Sequence, residues 1–203
     1  MKFFASMLLC AAGLIAAPAS AQDVAAAPAA TGTLLVDVQP FRSEKELPKK
    51  VDKQLRSGGL EWGIRDRQLV FTIVGKQHVD FPINHMTRYG QSESLVLPEG
   101  EYRVTGIGLE MTAGFNVQKI LDRGAFVNED VVVFRIEAGK TSTLRIDPVI
   151  KRDNAFLLDF YVPTLMTRVV TEAGAGEEKP LNLRGDASIA WPNYKGPLKF
   201  IAK

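Results

Sequence analysis

His78, Asp80 and His85 form the sharpest group of side chains able to do chemistry in this chain. On an extended segment, His78 and Asp80 project to one face with their Cα atoms about 7 Å apart. Pro82 could bend the chain so that His85 returns toward them, and two imidazoles with a carboxylate suit tetrahedral zinc. Neither an HxH nor an HExxH spacing is present. The competing reading is two surface histidines in a hairpin. Trp62, Tyr89, Trp191 and Tyr194 are the next group, and within it Trp191-Pro192-Asn193-Tyr194 falls at a turn between two strand candidates. Exposed aromatic faces beside an amide hold sugars by stacking and hydrogen bonding, so Trp191, Asn193 and Tyr194 are a candidate glycan or partner surface. The competing reading has both rings capping the open end of the core.

Other residues offer less. Lys45, Lys49, Lys50, Lys53 and Arg56 could present a basic face to anionic headgroups. Glu44, Glu46 and Asp52 are interspersed with them, which favours a solvated helix face opposite Leu47, Val51 and Leu55. No serine lies in GxSxG, and the one cysteine, Cys10, lies in the N-terminal apolar run. Gly106-Ile107-Gly108 lacks the third glycine of a dinucleotide loop. Glu177 and Glu178 sit in a loop-like stretch where a fixed acid–base geometry is hard to hold. Arg184-Gly185-Asp186 spells the adhesive tripeptide from three common surface residues. No motif calls for a cofactor, and the expectation is a chain without enzymatic activity.

The elements that must position these residues are short. Apolar-alternating or β-branched segments recur at 34–38, 68–74, 94–97, 102–109, 131–136, 141–146, 156–162, 188–191 and 197–201. With turn signals between them, they predict an all-β antiparallel β-sandwich of about eight to nine strands with one short helix. Phe156, Leu158, Phe160 and Val162 lie two apart and share a face, with Asp159 on the other. Two hairpins are expected, one through Pro98-Glu99-Gly100 and one through Glu137-Ala138-Gly139-Lys140, with Gly100 and Gly139 at positive φ. Leu47, Val51 and Leu55 predict a helix within 46–57, ended by Gly58-Gly59. A further helical turn is possible over 116–123.

The stretch SLVLPEGEYRVTGI, with Leu97-Pro98, Gly100 and Tyr102, resembles the L-P-x-G-x-Y hairpin of transthyretin-like and carboxypeptidase-regulatory-like β-sandwich modules. There the glycine turns the chain and the tyrosine packs under the turn. VFRIEAGKTSTLRI resembles a strand pair found in many small exported bacterial proteins of unknown function. The T-D-x-x-G-x-F hairpin common in the regulatory-like modules is absent. The resemblance implies an exported bacterial β-sandwich module of the envelope or surface, usually non-enzymatic, and it carries no catalytic residue.

Composition fits this picture. Of 203 residues, 46% are hydrophobic and 24% charged, which excludes wholesale disorder. A net charge of +2 argues against nucleic-acid binding by bulk charge. Lys2, the uncharged run from Phe3 to Ala17 and Ala19-Ser20-Ala21 predict a secretory signal peptide, 1–21, cleaved after Ala21. An Ala/Pro-rich flexible leader, 22–31, would follow, then a single domain, 32–203, without a transmembrane span. The expected location is the periplasm or the exterior. The expected function is a non-enzymatic envelope module that binds a protein or glycan partner. The alternative is a periplasmic small-ligand or metal-binding domain using His78, Asp80 and His85.

Overall fold

Strand β1 (Thr31–Val38) shows the rule that builds most of the molecule: Leu34, Val36 and Val38 are buried, and the residues between them face outward. The computed structural model describes residues 29–73, 75–110, 117–155 and 158–200. The expected signal peptide, most of the leader, Val74, Phe156 and Ile201 lie outside the described residues.

After β1 come a short β2 (Arg42–Ser43) and the helix α1 (Lys49–Arg56). The helix begins at Pro48, whose fixed φ suits a helix start, and it rests Val51 and Leu55 half-buried on the surface. β3 (Gly59–Arg65) and β4 (Gln68–Thr72) form a hairpin. Its two-residue loop holds Asp66 and Arg67 at φ 50° and 63°, the left-handed pair such a loop requires. β5 (Val79–Asp80) and β6 (His85–Arg88) follow, then β7 (Gln91–Pro98) and β8 (Gly100–Leu109). A second helix, α2 (Val117–Gly124), leads into the three longest strands, β9 (Ala125–Ile136), β10 (Thr141–Ala155) and β11 (Leu158–Thr171). The chain finishes with four two-residue strands: β12 (Gly174–Ala175), β13 (Lys179–Pro180), β14 (Ile189–Ala190) and β15 (Lys199–Phe200).

These strands form the expected all-β sandwich. A seven-stranded sheet runs β12-β11-β10-β1-β7, with β13 beside β11 and β2 beside β10. A six-stranded sheet runs β14-β9-β8-β4-β3-β6, and β15 pairs with β5 apart from both. The sandwich is mixed rather than antiparallel throughout: β1 lies parallel to β10, and β4 parallel to β8.

Both expected hairpins turn out to be arches. β7 pairs with β1 in the larger sheet, whereas β8 pairs with β4 and β9 in the smaller one. The chain through Pro98-Glu99-Gly100 therefore crosses between sheets. The same holds at Glu137–Lys140, since β9 and β10 belong to opposite sheets. The local turn chemistry is nonetheless as expected. Gly100 and Gly139 have φ of 152° and 70°. The Tyr102 hydroxyl donates to the Pro98 carbonyl at 2.8 Å, locking the first arch.

Between the sheets, Leu34, Val36, Leu144, Ile146 and Leu165 meet Trp62, Phe71, Tyr102, Val104 and Phe134. At one end the segment 181–183 is wedged between them. Asn182 accepts from the Leu165 amide at 2.8 Å and donates to the Pro163 carbonyl at 2.7 Å on one side. Asn128 donates to the Leu181 and Leu183 carbonyls on the other. A side chain at Gly106 would strike the Leu181 backbone, so only glycine admits the wedge.

The smaller sheet is also covered on its outer face. Val70, Ile107 and Val127 pack there against Leu121 of α2, Val79, Phe81, Ile83, Trp191 and Leu198. Among the described residues, no helix is long and apolar enough to cross a membrane.

Candidate functional site

The covering layer positions the aromatic candidates. β14 pairs with β9 through Ala190↔Phe126, and a 3-10 turn over Trp191–Asn193 follows at once. Trp191 is only 5% exposed and belongs to the outer apolar cluster, against which Tyr194 packs. The core-capping role thus takes most of the Trp191 surface. Tyr194 remains half-buried, and Asn193 is exposed.

Tyr194 is fixed by a bulge in β9. The register steps from Val104↔Val132 to Gly106↔Asn128, so β9 carries extra residues, with Asp130 at φ 49°. The bulge turns Glu129 toward Tyr194, whose hydroxyl donates to Glu129 Oε1 at 2.9 Å. Burial, then the hydrogen bond and charge of Glu129, push the Tyr194 phenol far above the ordinary tyrosine value. Tyr194 therefore stays a neutral donor over the whole physiological range.

Around these rings lies a cavity of about 430 Å³. Trp191, Pro192, Tyr194 and Leu198 supply its apolar wall, and Asp122, Lys195 and Lys199 its charged groups. Asn193 is not among the lining residues. An apolar concavity with a few charged groups at its edge can seat the ring of a polar ligand while pairing with its ionic substituents. Two lysines against one aspartate favour an acidic ligand.

His78, Asp80 and His85 do not converge. His78 ends an exposed 3-10 turn, with Nε2 3.4 Å from the Gln77 amide nitrogen. Asp80 is exposed on β5, opposite Lys199 of β15. His85 lies on β6 opposite Trp62, and the two rings stack at 4.2 Å. Its Nδ1 is 2.5 Å from Glu93 Oε1, while Glu93 Oε2 accepts from Thr87 and Thr87 accepts from Trp62 Nε1. Pairing of β6 with β3 commits His85 to this network, which ties β6 to β7 where the chain changes sheets. Among the described residues, no three His, Cys, Asp or Glu side chains are grouped to hold a metal ion.

The basic residues of α1 remain on a solvated face; Arg56 pairs with Asp52 at 2.8 Å and lies over the Phe41 ring. Sequence reasoning missed Asp122, Lys195, Leu198 and Lys199 as cavity residues. The Lys195-x-x-Leu198-Lys199 run directly after Tyr194 was the available signal. No protein-family model, no curated protein and no solved structure matches the chain.

Proposed function

We propose that the protein is a non-enzymatic, exported module of the bacterial envelope that binds a glycan partner in the cavity beside Tyr194. The observation that carries the reading is the cavity itself, with an apolar wall of Trp191, Pro192, Tyr194 and Leu198 beside Lys195, Lys199 and Asp122. Because Trp191 is largely spent on the core, the ring face offered to a sugar is that of Tyr194. The two lysines favour glycans carrying carboxylates, as peptidoglycan fragments do. Export rests on the N-terminal pattern of Lys2, the apolar run and Ala19-Ser20-Ala21. A metal-binding function on His78, Asp80 and His85 lacks the convergent ligands zinc requires.

The test is amide chemical-shift mapping of the protein during titration with soluble peptidoglycan fragments and with neutral N-acetylglucosamine oligomers. Saturable shifts confined to residues 191–199 and to Asp122 are expected. Replacing Lys195 and Lys199 by glutamine should weaken binding of the charged fragments by about tenfold. Absence of shifts at 191–199 with every fragment would overturn the reading.

A further inference from the structure

A second concavity lies on the opposite side of the molecule, on the outer face of the seven-stranded sheet. Strand register gathers its charges. Arg145 of β10 stands opposite Arg168 of β11, and Asp147 follows on the same face two residues later. Arg42 of β2 stands opposite Val149, the next residue of that face. Gln39, just beyond β1, and Glu178, from the loop before β13, complete the walls of a cavity of about 400 Å³. Three residues distant in the sequence thus bring guanidinium groups to one polar depression.

The charges are not balanced internally. Asp147 is 8% exposed and is held by Arg145 at 3.3 Å from Nε, which accounts for one cation and one anion. Glu178 is exposed at the edge. Arg42 and Arg168 remain, and the buried Nε of Arg168 has no hydrogen-bond partner among the described residues. A buried charged donor without an acceptor is unfavourable, and an oxyanion entering the cavity would supply the acceptor. Planar guanidinium forks match the paired oxygens of a carboxylate or phosphate group. Three arginines against two carboxylates leave one net positive charge for the ligand to neutralise.

The geometry points to a binding site for a small oxyanion, a carboxylate or phosphate group carried by an organic ligand, held by Arg42, Arg145 and Arg168 on the outer face of the larger sheet. Asp147 acts as a positioning residue by orienting Arg145, and the Gln39 amide is a neutral donor at the edge. The site is separate from the cavity beside Tyr194 and stands whether or not that cavity binds a glycan.

The experiment titrates the protein with propionate and with methyl phosphate at constant ionic strength, following the arginine Nε–Hε resonances. Saturable binding with Kd of about 1 mM or tighter is expected for at least one probe, with Arg168 Nε–Hε moving most. R168Q and R42Q should each weaken it by about tenfold. Saturation by propionate alone assigns carboxylates, by methyl phosphate alone assigns phosphoesters, and by both assigns either group. R42Q lies at an exposed position and keeps the test decisive should R168Q fail to fold. A linear drift with both probes, or saturation that R42Q leaves unchanged, would overturn the site.

Discussion

The two sheets share one core but differ in what lies behind them. Behind the six-stranded sheet, α2, β5 and residues 191–198 form a second apolar layer, so Leu69, Val70 and Phe71 are all buried although they point to alternate faces. Behind the seven-stranded sheet lie Asp37, Arg145 and Arg168, and β1 alternates cleanly between buried and partly exposed residues. A strand in a three-layer region reads as a continuous apolar run, and a strand with one wet face reads with period two. Each arrangement also makes its own kind of site. The covered sheet leaves a cavity at the margin of its apolar layer, and the bare sheet can gather arginines without desolvating them fully.

The strongest way to break the contrast is to place one charge on each outer face. Val70→Asp, on the covered side, buries a carboxylate without a partner and should cost more than about 4 kcal/mol, read as loss of the cooperative urea transition. Val96→Asp, at a position 71% exposed on β7, should change stability by less than about 0.5 kcal/mol. Equal effects would mean that the second layer does not cover the sheet in solution.

Removing the anchor of that layer sharpens the contrast. Leu121→Ala should destabilise by about 2–5 kcal/mol and raise amide exchange across residues 191–200 more than across β1 and β10. Uniform exchange would show that α2 is not the anchor.

The seam between the sheets is the next target. Glu93→Gln keeps the shape of the side chain but removes the charge that holds His85 and Thr87, and should cost about 1–3 kcal/mol by urea melting. A cost near zero would reduce the β6–β7 corner to packing alone.

The smallest effect is in alkaline solution. Burial is the leading cause that raises the phenols of Tyr89, Tyr102 and Tyr194. Each folded value lies above the unfolded one, so the native state holds these protons more tightly. The resulting stability is complete below about pH 10 and is lost as pH rises through the folded values. Tyrosinate absorbance should therefore lag behind that of the unfolded chain, and Tyr194→Phe should flatten the alkaline decline. A titration coinciding with that of the denatured chain would contradict the placement of all three rings.

Strand existence was largely legible, since Leu34, Val36 and Val38, or Phe134 and Ile136, advertise period two. Strand partnership was not. Gly100 and Gly139 reveal where the chain reverses, but the same φ serves a hairpin and an arch. β3 is not legible in the sequence, because Gly59-Leu60-Glu61-Trp62-Gly63 does not alternate simply and its turn at Asp66-Arg67 uses no glycine. The second helix, for which the sequence allows a turn over 116–123, spans 117–124. His78 and His85 look close in sequence, yet pairing of β6 with β3 sends His85 into the Trp62–Glu93 network. Trp191 and Tyr194 stand out by residue type and do line a cavity. Arg42, Arg145 and Arg168 could not be grouped without the register of β2, β10 and β11.

The parallel pairing of β1 with β10 sets a timetable for the chain. Thr33 waits for Thr141, so β1, the first strand among the described residues, gains its second neighbour only once β10 has been made. Contacts so far apart in sequence are slow to close, and a waiting strand edge invites pairing with other chains. The sandwich can therefore close over β1 only after β10 is available to occupy the free side of that strand.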